Sequence, residues 1–287
     1  MATAWQRWAA FLAKGEPDDV KHQDATHALV VCGLLYAAML AVGFSIDRLL
    51  AREEELPPSA WAAYALLGYW SWLVILRLRC ETASVAQDVY QLMFSCNFSM
   101  PVAAAAIYWR KPILLCAQGI LVAIDQVLWY VDLLGYLLTG KLPLKVVGYL
   151  LWPSTPLSRR ISCIHHVLFE PLVICVGSQG QSLPILRGFL VALAQTVVCQ
   201  AICRYTTPIE IQHGKELCYL NINLCYESFR DVKVAWIRRY DGAKASSYLP
   251  WMLWIWNGGN LILFLLLAFP LLWLLNYCGW SQASLSV

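Results

Sequence analysis

Between Pro112 and Leu138 the chain runs apolar for about 27 residues, enough to cross a bilayer with some tilt. Two aspartates interrupt it, Asp125 near the midpoint and Asp132 two turns later. On a helix, Asp125, Trp129, Asp132 and Tyr136 recur at spacings of four, three and four, so they share one face. A carboxylate in hydrocarbon costs about 2.5–3.5 kcal/mol on insertion scales and requires a partner or water. That face is therefore expected to turn into a helix bundle.

Composition extends the inference to the whole chain. Of 287 residues 60% are hydrophobic and 14% charged, which excludes an ordinary soluble domain. The net charge of +3 gives no basic surface for nucleic acid. Eleven cysteines are scattered through apolar runs without a CxxC pair, so neither a zinc knuckle nor a disulfide framework is expected. Residues 1–25 lack the unbroken apolar core of a signal peptide. Trp5, Trp8, Phe11 and Leu12 would share a face of a short interfacial helix.

Seven apolar segments follow, over 26–46, 60–76, 88–109, 112–138, 161–177, 183–203 and 249–277. The run 142–152, between Pro143 and Pro153, is too short to cross and is expected at the interface or as a re-entrant piece. With seven crossings, sixteen Lys and Arg residues fall on one side and five on the other. The positive-inside rule then places the N-terminus in the cytosol and the C-terminus opposite. The expected fold is thus an all-α polytopic bundle: an interfacial segment 1–25, six helices within 26–204, a cytosolic loop 205–248, and a last span and tail over 249–287. In the loop, Leu220, Ile222, Leu224 and Tyr226 alternate with polar residues like a strand. Phe229, Val232, Trp236, Ile237 and Tyr240 suggest a basic amphipathic helix suited to anionic headgroups.

At 1.5 Å rise per residue, Asp132 would lie about 9 Å inside the cytosolic end of its span, level with His165 and His166. Cys96 and Asn97 fall near mid-membrane beside Asp125, and Glu170 stands one turn from His166 on the same face. These residues suggest a polar column open to the cytosol. Asp132, His165 and His166 are the candidate catalytic groups; Asn97, Asp125, Glu170 and Asn223 are candidates for binding substrate. A divalent metal, if bound, would fall to His166, Glu170 and Asp132. Ser162, Ser99 and Cys96 are candidate nucleophiles with nothing to choose between them. Trp256-Asn257-Gly258-Gly259-Asn260 either breaks the last span beside a cavity or packs it closely.

Four stretches in order carry a resemblance: Cys96-Asn97, Leu128-Trp129-Tyr130-Val131-Asp132, the run Pro156–Ser162 leading to His165, and Asn221-Ile222-Asn223. Over roughly residues 90 to 230 the chain resembles a group of uncharacterised bacterial multi-pass membrane proteins. The resemblance implies no reaction, only that Asn97, Asp132, His165 and Asn223 belong to one arrangement. Ile164-His165-His166 is also similar to the double-histidine helix of ceramide-synthase-like proteins, without the acidic segment that accompanies it there.

Three functions compete. The first is an intramembrane enzyme acting on a lipid or other apolar substrate; the second, a proton- or ion-coupled carrier using the same column. The third is a structural or assembly subunit with protein partners in a larger membrane complex. Membrane lipids are partners in every case. The endomembrane, plasma membrane and mitochondrial inner membrane all remain open.

Overall fold

The computed structural model describes residues 24–51, 55–79, 84–153, 155–179, 182–213, 216–228, 230, 235–279 and 285–286. The expected interfacial helix before residue 24 lies outside them. Among the described residues, six helices are long and apolar enough to cross a membrane. They are α1 (Ala25–Leu50), α2 (Ala60–Leu78), α5 (Pro112–Thr139), the pair α6–α7 (Leu157–Ser162 and His165–Gly177), α8 (Ile185–Thr206) and α9 (Ala245–Tyr277). The chain is an integral, multi-pass membrane protein.

The third expected span is not one long helix. It divides into α3 (Val85–Gln91) and α4 (Ser95–Tyr108). The fourteen residues of α4 reach about 21 Å, short of the ~30 Å hydrocarbon core. The break at 92–94 frees backbone groups that side chains must satisfy, since the bundle interior holds little water. Asn97 donates its amide to the Gln91 carbonyl at 2.7 Å. Asn223, arriving from the distant loop, accepts the Ser95 N–H at 2.7 Å and donates to the Met93 carbonyl at 2.7 Å. One amide side chain thus bridges both lips of the break.

α5 is the central element. Every residue from Pro112 to Ala123 is buried, and the helix packs against α4, α7, α8 and α9. Its start is capped by Asp47 of α1, which accepts the Leu114 N–H at 3.2 Å with Lys111 3.8 Å away. Polar side chains tie it sideways: Gln118 donates to Gln195 at 2.9 Å, and Gln195 donates to the Met39 carbonyl at 2.9 Å. α9 stays helical through Asn257-Gly258-Gly259-Asn260. Asn260 accepts the Ile124 N–H at 2.8 Å and donates to the Leu121 carbonyl at 3.0 Å. A Cβ added at Gly259 would come within 3.0 Å of Ile124, so that glycine serves close packing.

The loop after α8 differs from its expected form. Glu210–His213 (β1) and Glu216–Tyr219 (β2) form an antiparallel hairpin, and the strand-like alternation at 220–226 is a turn. Asn221, Asn223 and Leu224 have left-handed φ of 39°, 52° and 54°. Apolar Ile222 and Leu224 and the flanking Asn221 and Cys225 are all buried, because the turn inserts into the bundle rather than presenting one face. Of the amphipathic helix expected over 229–240, Phe229 and residues 231–234 lie outside the described residues; of the rest, Ile237–Tyr240 is a single 3₁₀ turn.

Candidate functional site

The helix break at 92–94 and a second one at 163–164 meet inside the bundle. α6 ends at Ser162, and α7 begins with the histidine pair. His165 Nδ1 lies 2.9 Å from the Ser162 carbonyl oxygen. A carbonyl only accepts, so the proton is on Nδ1 and the lone pair of the neutral ring is on Nε2. Nε2 is buried and has no hydrogen-bond partner among the described residues, and neither has His166 Nδ1. The His166 ring is stacked on Trp129 of α5, centroids 4.4 Å apart at 9°, and the two imidazoles are 4.1 Å apart. Tyr69 of α2 holds the same carbonyl as His165, donating to Ser162 O at 2.7 Å.

Cys96, in the first turn of α4, faces this pair. Its sulfur and one nitrogen from each of His165 and His166 lie within 4.8 Å of one another. Bond lengths of about 2.0–2.3 Å place tetrahedral zinc ligands roughly 3.3–3.8 Å apart, so a contraction of about 1 Å would close the set around an ion. Thiolate and imidazole are the donors zinc prefers, and a ligating histidine normally gives its other N–H to a carbonyl, as His165 does here. Three protein ligands leave a fourth position for water or substrate.

The other expected site residues lie around this centre without joining it. Asp132 is fully buried at the same end of the bundle, but its carboxylate turns to the following loop. It accepts the backbone N–H of Leu144 at 2.7 Å, of Lys145 at 3.1 Å and of Val147 at 3.1 Å. The expected pairing of His166 with Glu170 does not form. Both Glu170 oxygens are without hydrogen-bond partners among the described residues, and the carboxyl faces Gly119 on α5, where an added Cβ would stand 3.0 Å from Oε2. Stacking on Trp129 holds the His166 ring elsewhere. The metal set therefore contains Cys96 in place of Asp132 and Glu170.

Asp125 lies on a separate small cavity of about 30 Å³, room for a water or two, with Ser95, Gln200, Asn223 and Trp256. The Ser95 hydroxyl donates to Asp125 at 3.4 Å. Asn97 and Asn223 serve the backbone of the helix break beside Cys96, Asn97 at the Gln91 carbonyl and Asn223 at Met93 and Ser95. Tyr136, the fourth member of the α5 face, is 42% exposed and outside the site.

Comparison of the sequence and fold with known protein families, curated proteins and solved structures returned no match. The functional reading therefore rests on the geometry.

Two features escaped the sequence. Cys96 stood level with two serines as a candidate, and only the break that lifts it toward α7 distinguishes it. The Trp129–His166 stack crosses from α5 to α7, and spacing along either helix does not reveal it.

Proposed function

We propose that the protein is a membrane-embedded enzyme acting on a lipid or other apolar substrate, with its centre at Cys96, His165 and His166. A single divalent transition metal, zinc by the donor set, would be held there. The observation that carries this reading is a pair of buried imidazoles beside a thiol, each ring with one nitrogen that has no partner among the described residues. A buried polar atom without a partner costs about 1–3 kcal/mol, and a ligand removes that cost at both rings at once. When bound, the metal would act as a Lewis acid toward a carbonyl or ester oxygen or toward water. The chain's own part is to fix His165 through Ser162 and Tyr69, to hold His166 flat on Trp129, and to keep water scarce.

The basic residues support an N-terminus in the cytosol and a C-terminus opposite, with α3–α4 as a broken seventh crossing. The centre then sits toward the cytosolic end. Purified protein should contain one metal per chain and convert a lipid-phase substrate, and Cys96→Ser and His166→Ala should lose both properties. Full turnover by a metal-free preparation would overturn the reading.

A second reading, an ion- or proton-coupled carrier, draws on one observation: Glu170, Gln126 and Gln200 all bury side-chain polar atoms that have no partner among the described residues. Solute uptake driven by a pH gradient in liposomes, unaffected by Cys96→Ser, would favour it.

A further inference from the structure

The loop that Asp132 folds is more than a connection. α5 spans 28 residues, about 42 Å, so its last turns emerge from a ~30 Å hydrocarbon core at headgroup level. There Gly140, at φ 70°, ends the helix, and the chain doubles back over it. The carboxylate of Asp132 gathers three backbone amides, including that of Lys145, whose own φ is 63°. A left-handed backbone is strained for a lysine, and Asp132 offsets this by accepting its N–H. On the far side the loop is fastened by Thr155, donating to the Tyr149 carbonyl at 2.6 Å, and by Arg160, donating to the Trp152 carbonyl at 2.9 Å.

The product is an open groove of about 730 Å³, within the usual range for small-molecule sites. Lys141, Lys145, Tyr136, Tyr149, Leu151 and Trp152 line it. Neither lysine has a carboxylate partner among the described residues. Around its mouth Leu137, Leu138 and Leu144 are exposed, which suits acyl chains. Tyr149 forms the inner wall, packs on Trp129 at 6.3 Å, and Trp129 stacks on His166. One aromatic layer therefore separates the groove from the Cys96 centre.

We propose that this groove binds the phosphate-bearing headgroup of an anionic membrane lipid and presents that lipid to the centre. Charge, aromatic rim and apolar flanks match an amphiphile at the level where such headgroups lie. Asp132 is a positioning residue for this site, acting through the backbone of Lys145. That the bound lipid is also the substrate rests on the reading of the centre given above; its binding does not.

The test is retention of phosphatidylglycerol against phosphatidylcholine by the full-length protein in mixed-lipid nanodiscs, read by native mass spectrometry. Wild type should hold phosphatidylglycerol saturably. Lys141→Gln with Lys145→Gln should lower the preference about thirtyfold, at about 1 kcal/mol per lysine. Asp132→Asn separates a built site from general surface attraction. It keeps both lysines and removes a negative charge, so general attraction predicts tighter binding, whereas a groove whose loop has loosened predicts weaker. Cys96→Ser should bind lipid like wild type, which keeps the groove and the metal centre separately testable. An unchanged preference in the double lysine variant, tighter binding in Asp132→Asn, or displacement of the lipid by inorganic phosphate at equal affinity would each overturn the proposal.

Discussion

Replacing Asn223 by alanine separates a helix break that the fold requires from one that it merely tolerates. The side chain bridges Ser95 N–H and Met93 C=O, both at 2.7 Å, and also lies 3.2 Å from Cys199 Sγ. In a water-soluble core, two orphaned backbone groups would cost about 2–6 kcal/mol. In a membrane, the unfolded chain finds other partners, and hydrogen bonds between helices average about 0.6 and reach about 1.7 kcal/mol. The second scale governs here, because the break lies inside the bundle, so Asn223→Ala should cost about 1–3 kcal/mol. Asn223→Asp keeps the acceptor for Ser95 but turns an oxygen toward the Met93 carbonyl, and should be at least as harmful. The assay is thermal unfolding in detergent followed by maleimide capture of cysteines, since Cys199, Cys203 and Cys225 are buried against the inserted turn. Earlier melting with faster labelling is expected. Equal melting and equal labelling in both variants would refute the bridging role.

Asp132→Ala should release the 140–152 loop, so a protease should cut there sooner in the variant than in wild type, at a stability cost of about 2–4 kcal/mol for the lost charge-assisted bonds. A variant that kept the loop protected would mean that those three amides have other partners. Gly188→Ala should destabilise the α5–α8 contact by about 1–3 kcal/mol, since a Cβ there meets Cys116 Sγ at 2.9 Å and the Ala117 backbone nitrogen at 3.3 Å. Adding Cys116→Ala should restore part of the loss, as a double-mutant cycle in denaturant would register. Outside the membrane, burial alone would raise the Asp241 carboxyl, but the Ser228 amide and hydroxyl and the Arg238 guanidinium outweigh it and hold it below its ordinary value. With the folded value depressed, its contribution is complete above about pH 4 and lost as pH falls through the lower folded value. Asp241→Asn should therefore flatten the acid limb of a proteolysis profile over 228–241.

Much of the architecture was legible because hydrocarbon imposes a simple length rule. The apolar runs at 112–138 and 60–76 are α5 and α2 within a turn, and the last span is α9 with four added residues at its start. The third run misled because hydropathy does not register a break. Met93–Asn97 holds three small polar side chains in an otherwise apolar stretch, and the backbone freed there is satisfied by Asn223, a contact across 128 residues. Depth along each helix was also informative: Asp132 and the histidines do share one end of the bundle. Direction was not. A carboxylate two turns from the end of α5 can face a neighbouring helix or fold back to its own loop, and the amides of 144–147 decide that locally. His166 and Glu170 share a helix face by spacing, but the flat face of Trp129 captures the imidazole.

The proposed centre exists only if Cys96, His165 and His166 close around one ion. Titrating metal-stripped protein with Co²⁺ and reading the visible and near-ultraviolet spectrum tests this directly. One equivalent should give the strong ligand-field bands of a tetrahedral site with a thiolate charge-transfer band, and Cys96→Ser should lose the latter. A folded protein whose spectrum stayed that of aqueous Co²⁺ would contradict the claim.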